Sequence, residues 1–188
     1  MQKKHKKPVY KYPDFIKNIT LKKATKKRYW LNLEINNTKD ENIIVILKNP
    51  SRADLKISDK TVYNVSNYIY RNREKYTELK NIGSITILNL MPNYETYSDQ
   101  LKSLKSNIID QENLKTINEF CKAHKKVIIA WGNHPSGLFN EYEILKSLTM
   151  NILDKNQNEV YYVDKMSKAE NPKHGQVWGY ENELVKHP

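Results

Sequence analysis

Three uninterrupted apolar runs constrain the fold of this chain more than any other feature. They are Ile43-Ile44-Val45-Ile46-Leu47, Ile85-Thr86-Ile87-Leu88 and Val127-Ile128-Ile129-Ala130. Runs this rich in β-branched residues, without polar alternation, fit strands buried on both faces, the condition of a mostly parallel sheet covered by helices. Each run ends in a short polar motif: Lys48-Asn49-Pro50-Ser51, Asn89-Leu90 and Trp131-Gly132-Asn133-His134. Ligands of open α/β sheets bind outside the carboxyl ends of the strands. These endings therefore stand where a site is expected.

The remaining sequence reads as further strands and helices in alternation. Arg28 to Ile35 alternates as a strand, and the turn-rich Asn36-Asn37-Thr38-Lys39-Asp40 leads into a strand over 42–48, so the two are expected to pair as an antiparallel hairpin. Asp59 is placed to cap a helix in which Val62, Val65, Tyr68 and Ile69 recur at helical spacing as far as Lys75. A strand over 84–89 follows, then a loop with Pro92, Thr96 and Ser98 and a short helical piece starting around Leu101 and Leu104. A helix over 111–124, a strand over 127–131, a helix from Phe139 to Leu148 and a strand from Val160 to Val163 complete the pattern before an irregular tail. This order argues for an α/β fold, and 188 residues suit one domain with a single substantial core.

The formal charge of +11 is unevenly placed. Residues 1–28 hold 11 Lys/Arg against Asp14 alone, giving +10, whereas the rest of the chain, with 21 basic and 20 acidic residues, carries +1. With Pro8 and Pro13 opposing regular structure, residues 1–27 read as a largely irregular basic arm before a domain over 28–188. Lys22, Lys23, Lys26, Lys27 and Arg28 are its candidate nucleic-acid contacts, and Tyr10, Tyr12, Phe15, Tyr29 and Trp30 are interleaved as stacking surfaces for unpaired bases. The plainer alternative is a solvated, lysine-rich tail. No apolar stretch reaches membrane-spanning length, and the opening Met-Gln-Lys-Lys-His-Lys-Lys lacks the apolar segment of a secretion signal. Cys121 is the sole cysteine, which fits a reducing, cytoplasmic setting, and it reads as a small core residue of the helical stretch from Leu114 to His124. The five histidines and one cysteine show no metal-ligand spacing, so neither a metal nor another cofactor is expected.

Taken singly, each polar ending has a structural reading. Asn49-Pro50-Ser51 can be a strand-ending turn, Asn89 can satisfy buried backbone groups, Trp131 can be core, and His134 and His174 can be hydrogen-bonded structural histidines. Taken together they resemble two families. Asn49-Pro50-Ser51-Arg52-Ala53-Asp54, Asp59-Lys60-Thr61, Asn89-Leu90 with Glu95-Thr96 and Leu101, Ala130-Trp131-Gly132-Asn133-His134, and Pro172-Lys173-His174 stand in the order seen in DUF1643. That is a family of small bacterial and phage proteins with an Asn-Pro-Ser-x-Ala-Asp signature, and the resemblance covers most of the chain from residue 28 to residue 180.

The same order more distantly resembles the uracil-DNA glycosylase superfamily. That likeness implies a three-layer α/β/α sandwich around a mostly parallel sheet. Lys48-Asn49-Pro50 takes the place of the motif that positions the attacking water, Ile87-Leu88-Asn89 that of the strand whose terminal Asn reads the base edge, and Trp131-Gly132-Asn133-His134 matches a Trp-Gly-x-His ending. Pro172-Lys173-His174-Gly175 corresponds to the late loop whose His donates to the leaving base. The resemblance thus implies catalytic roles for Asn49 and His174, helped by Asp54, a base pocket from Pro50, Ser51, Asn89, Trp131 and His134, and phosphate contacts from Arg52 and Lys173. Asn49 departs from the Asp of the classical enzymes; a carboxamide orients water but cannot take its proton. Two functions follow as expectations. One is hydrolysis of the N-glycosidic bond of a base in DNA or a nucleotide. The other is a non-catalytic binder of nucleic acid or nucleotide that keeps the fold and pocket, with a role in phage–host conflict as a further alternative.

Overall fold

The computed structural model describes residues 9–94 and 108–188. The strands are β1 (Ile16–Ala24), β2 (Lys27–Ile35), β3 (Glu41–Leu47), β4 (Ile82–Asn89), β5 (Lys126–Ile129), β6 (Glu159–Val163) and β7 (Leu184–Lys186). The helices are α1 (Lys60–Asn72), α2 (Gln111–Ala123) and α3 (Phe139–Lys155), with a short 3-10 turn at Gly175–Val177. The strands form one mixed sheet in the order β1-β2-β4-β3-β5-β6-β7. Its middle, β4-β3-β5-β6, is parallel, and antiparallel strands flank it on both sides. The three apolar runs are β3, β4 and β5, which lie side by side at the centre.

Side-chain alternation along these strands distributes two cores. Ile43, Val45 and Leu47 pack with Ile85, Ile87 and the Val62, Val65, Tyr68 and Ile69 face of α1. Ile44 and Ile46, pointing the other way, join Ile117 and Cys121 of α2 and Tyr142, Leu145 and Leu153 of α3. Helices thus cover both faces, which is what continuous apolar strands require. Helix α1 starts where Asp59 accepts the Val62 amide at 2.9 Å, and α2 starts where Asp110 accepts that of Asn113 at 2.9 Å. Cys121 is fully buried, and burial pushes its thiol up to about 12, so it is an inert core residue. Among the described residues no helix is long and apolar enough to cross a membrane.

Two expectations fail. β2 and β3 do not pair: β4 inserts between them, parallel to β3 and antiparallel to β2. The basic segment is not an irregular arm either, since residues 16–24 are the nine-residue strand β1, paired along β2. Two register shifts, at Ile16/Asn18 and Lys22/Lys23, break the alternation of β1 and hide it in the sequence. The tail also holds more order than expected, in the 3-10 turn and β7, and α3 runs seven residues beyond Leu148. The loop and short helical piece expected over Thr96 to Leu104 lie outside the described residues.

Candidate functional site

The loop from Asn49 to Asp59, which leaves the carboxyl end of β3, is organised around one buried carboxylate. Asp59, 4% exposed, accepts from the Ser51 hydroxyl, from the Ala53 amide at 3.1 Å and, as the α1 cap, from the Val62 amide. Both of its oxygens are therefore committed. Asp54 closes a smaller turn of its own, its Oδ1 accepting from the amides of Lys56 at 2.8 Å and Ile57 at 3.0 Å. Burial works to raise the Asp54 pKa, but those two amides and the charges of Lys23 and Lys56 hold it below the usual value. Asn49 is half-buried, with its amide donating to the Pro50 carbonyl at 3.2 Å, and Pro50 is buried beneath the turn.

The N-terminal segment supports this loop from behind. The Tyr12 hydroxyl donates to the Asp54 carbonyl at 2.6 Å, and Tyr10 bridges to Ser58. Arg28, expected as a phosphate contact, is 1% exposed; its Nη1 donates to the Ala53 carbonyl at 2.9 Å and its Nε has no partner. The cause is a β-bulge. Lys22 pairs with Trp30 and Lys23 with Arg28, which leaves Tyr29 unopposed. The extra residue turns Arg28 inward under the signature loop. Burial pulls the Arg28 pKa down, and the charge of Asp59 works against that pull.

Asn89 ends β4 directly beside Leu47 of β3. It is fully buried, yet among the described residues neither its Oδ1 nor its Nδ2 has a hydrogen-bond partner. Its backbone is held separately: Asn113, near the start of α2, donates to the carbonyls of Asn89 at 2.9 Å and Leu90 at 3.1 Å. β4 then continues along β3, with the Leu90 amide on the Leu47 carbonyl at 2.9 Å and the Met91 amide on the Lys48 carbonyl at 2.9 Å. Asn89 is thus a rigidly placed carboxamide, one donor group and one acceptor, engaged by none of the described residues.

The late loop arrives at the same rim. Gly175 sits so close to Val65 and Leu47 that a Cβ there would come within 2.6 Å of Val65 Cγ2. His174 packs against Gly132, just beyond β5, where φ is +68° and an added Cβ would lie 2.9 Å from the His174 Cβ. His174 Nδ1 accepts from the Gln176 amide at 3.2 Å, which leaves Nε2 to carry the proton. Burial first, then the neighbouring charge of Lys48, lowers its pKa to about 4, so the ring is neutral near pH 7. Lys48 is a half-buried cation with no carboxylate partner among the described residues; its ammonium lies 5.9 Å from the Tyr142 ring, and burial lowers its pKa.

Not all of the expected residues gather here. Trp131 turns to the α3 face, where its unpartnered indole N–H borders a separate cavity of ≈ 310 Å³ with Met150, Met166 and Pro172. His134 is exposed, edge-on to Phe139 and bonded to the Pro135 carbonyl at 3.0 Å, so it is a surface residue outside this cluster. Lys173 is held by Asp164 at 2.7 Å and Asn182 at 3.0 Å. Lys22 pairs with Glu112 at 2.7 Å and Lys27 with Asp110 at 2.6 Å, which ties the β1–β2 hairpin to α2. Lys23 and Lys26 stay exposed, and Lys23 and Arg52 line a cleft discussed below. Asp59 as the organising carboxylate, Lys48 as the unpaired cation and Asn113 as the clamp on β4 were not expected as site residues. For Asp59 the cap signature was a usable signal; for the other two, burial without a counter-charge and a contact across 24 residues have no local trace.

Fold and site together define an α/β protein whose polar groups collect at the carboxyl rim of a mixed seven-stranded sheet, around a sealed, unsatisfied asparagine and a neutral histidine. The family described as "Protein of unknown function (DUF1643)" matches residues 28–175, and the chain belongs to it. No curated protein and no solved structure gave a match.

Proposed function

We propose that the chain is a glycosylase-like protein that recognises a base of DNA or of a nucleotide at this rim, in a helix-covered sheet like that of the uracil-DNA glycosylases. One observation carries the reading: the Asn89 carboxamide, buried with no partner for either polar atom among the described residues. An unsatisfied buried donor or acceptor costs about 1–3 kcal/mol, a cost recovered when a ligand presents the complementary pair. A pyrimidine edge has that pair, one acceptor beside one donor. Cleaving the N-glycosidic bond builds negative charge on the departing base. His174, neutral with its proton on Nε2, and the Lys48 ammonium, which has no carboxylate partner among the described residues, are the groups to stabilise it. Asn49 orients water.

A second reading, a binder without chemistry, is favoured by a specific feature. Among the described residues, the carboxylates nearest the signature turn already hold donors, Asp59 three and the Oδ1 of Asp54 two amides, so neither is placed as a free base beside Asn49. Oligonucleotides bearing uracil, mismatched thymine or hypermodified pyrimidines separate the two. Release of free base, lost in Asn89→Ala and Asn49→Ala, supports the enzyme. Base-dependent binding without release, lost in Asn89→Ala alone, supports the binder. Binding indifferent to the base and to Asn89 overturns both.

A further inference from the structure

We infer that the ligand of this rim is a nucleotide within a strand of nucleic acid and not a free nucleotide, because a second cleft opening from the same loop fits the adjoining nucleotide. This rests on the base-recognition reading above and extends it. The cleft, ≈ 770 Å³, lies between the β1–β2 turn and the signature loop, and its walls include Lys23, Thr25, Ser51, Arg52, Asp54 and Tyr94. Ser51 joins the two sites, since its hydroxyl donates to Asp59 on the side of α1. The volume exceeds that of a lone phosphate and lies in the range of small-ligand clefts.

The chemistry of the walls is that of a strand-binding groove. Among the described wall residues, Lys23 and Arg52 are basic and Asp54 is the carboxylate, its Oδ1 occupied by the Lys56 and Ile57 amides. The contrast within the hairpin is informative. Lys22 and Lys27 point to α2 and are ion-paired there, whereas Lys23, across the bulge, lines the cleft and forms no salt bridge among the described residues. Thr25 adds a hydroxyl for a phosphate oxygen. Tyr94 supplies a half-buried aromatic wall, fixed to the hairpin by its amide on the Lys26 carbonyl at 3.0 Å. Cations beside an aromatic ring take a phosphate and the base next to it without regard to sequence. A free nucleotide fills only the rim. A strand fills both.

The test is a fluorescence-anisotropy titration of the full chain with a labelled ten-residue oligothymidylate, repeated at several salt concentrations and in competition with thymidine monophosphate. The oligonucleotide is expected to bind at least about tenfold more tightly than the mononucleotide. Lys23→Glu is expected to weaken the oligonucleotide several-fold and to reduce the salt slope by about 0.7, the contribution of one single-strand phosphate contact, while leaving the mononucleotide unchanged. Tyr94→Leu weakens the oligonucleotide without changing the slope. Lys23→Gln, which keeps a polar side chain at this exposed position, gives the same direction if charge reversal disturbs folding. Equal affinity for strand and mononucleotide, or an unchanged slope in both Lys23 variants, overturns the inference. Failure of the base-recognition reading looks different: Asn89→Ala then has no effect on any ligand, while the Lys23 effect on the oligonucleotide persists.

Discussion

The loop after β3 and the end of β4 lie side by side, and their polar groups are treated in opposite ways. In the loop, Ser51, the Ala53 amide and carbonyl, the Asp54 carbonyl and both oxygens of Asp59 are all bonded, and the buried Arg28 guanidinium is tied in from below. One strand away, Asn89 is equally buried and has neither side-chain atom engaged. A fully connected polar network rigidifies what it holds, whereas an orphaned amide in a native fold requires a separate reason. Ser51, Ala53 and Asp59 of the signature loop are therefore scaffold, and under the proposed function recognition falls to Asn89 next door.

That contrast can be broken most forcefully at Asp59. Asp59→Ala removes a helix cap, unpairs the Ala53 amide and strips a buried arginine of its nearest opposing charge, so a loss of about 3 kcal/mol is expected in urea unfolding. A loss below about 1 kcal/mol would mean that the loop does not depend on its hub. Acid comes next. His174 has a folded pKa of about 4, below its unfolded value of 6.5, so the folded state resists a proton that the unfolded chain accepts. Stability present above pH 6.5 is then lost as pH falls from 6.5 toward 4, by about 2–3 kcal/mol. Unfolding midpoints of wild type and His174→Gln, measured across that window, should converge at low pH.

Asn89→Leu sharpens the comparison by its sign. Replacing an unsatisfied amide with an apolar side chain of similar size should leave stability unchanged or raise it by about 1 kcal/mol while abolishing base-dependent binding. Calorimetry showing a loss greater than about 1 kcal/mol would mean that the amide is satisfied in the free protein. The smallest effect belongs to Asp54→Asn, which can rebuild the same turn and should change stability by less than about 0.5 kcal/mol. If base release nonetheless collapsed, Asp54 would be a chemical participant and not a turn residue.

Those parts of the fold that depend on local pattern were legible in the sequence. β3, β4 and β5 follow from their apolar runs, and α1 from the Asp59 cap with apolar residues at helical spacing. The hairpin expected between β2 and β3 fails because the turn at Asn36–Asp40 fixes only that the chain reverses there, not which strand fills the neighbouring place. β4, far along the chain, takes it. The meeting of these residues was legible in outline, since Asn49 in the loop after β3, Asn89 at the end of β4 and His174 against the turn after β5 arrive at one rim. Arg28 was misread because a single bulged residue, Tyr29, reverses which way it faces. Trp131 was misread because alternation along β5 sends it to the α3 side with Ile129 and Val127.

Strand β1 forms one outer border of the sheet, nine residues long, and a border of that length has backbone groups available to a second copy of the chain. Lys17, Lys22 and Lys23 are spread along it; Lys17 and Lys22 are ion-paired to Glu34 and Glu112, while Lys23, exposed, puts a charge on this margin that an incoming twin would meet. A lysine considered as a ligand for nucleic acid thus also stands where charge discourages edge-to-edge self-association. Replacing it with a neutral residue to silence binding risks fibrillar or domain-swapped material before any change in recognition is seen.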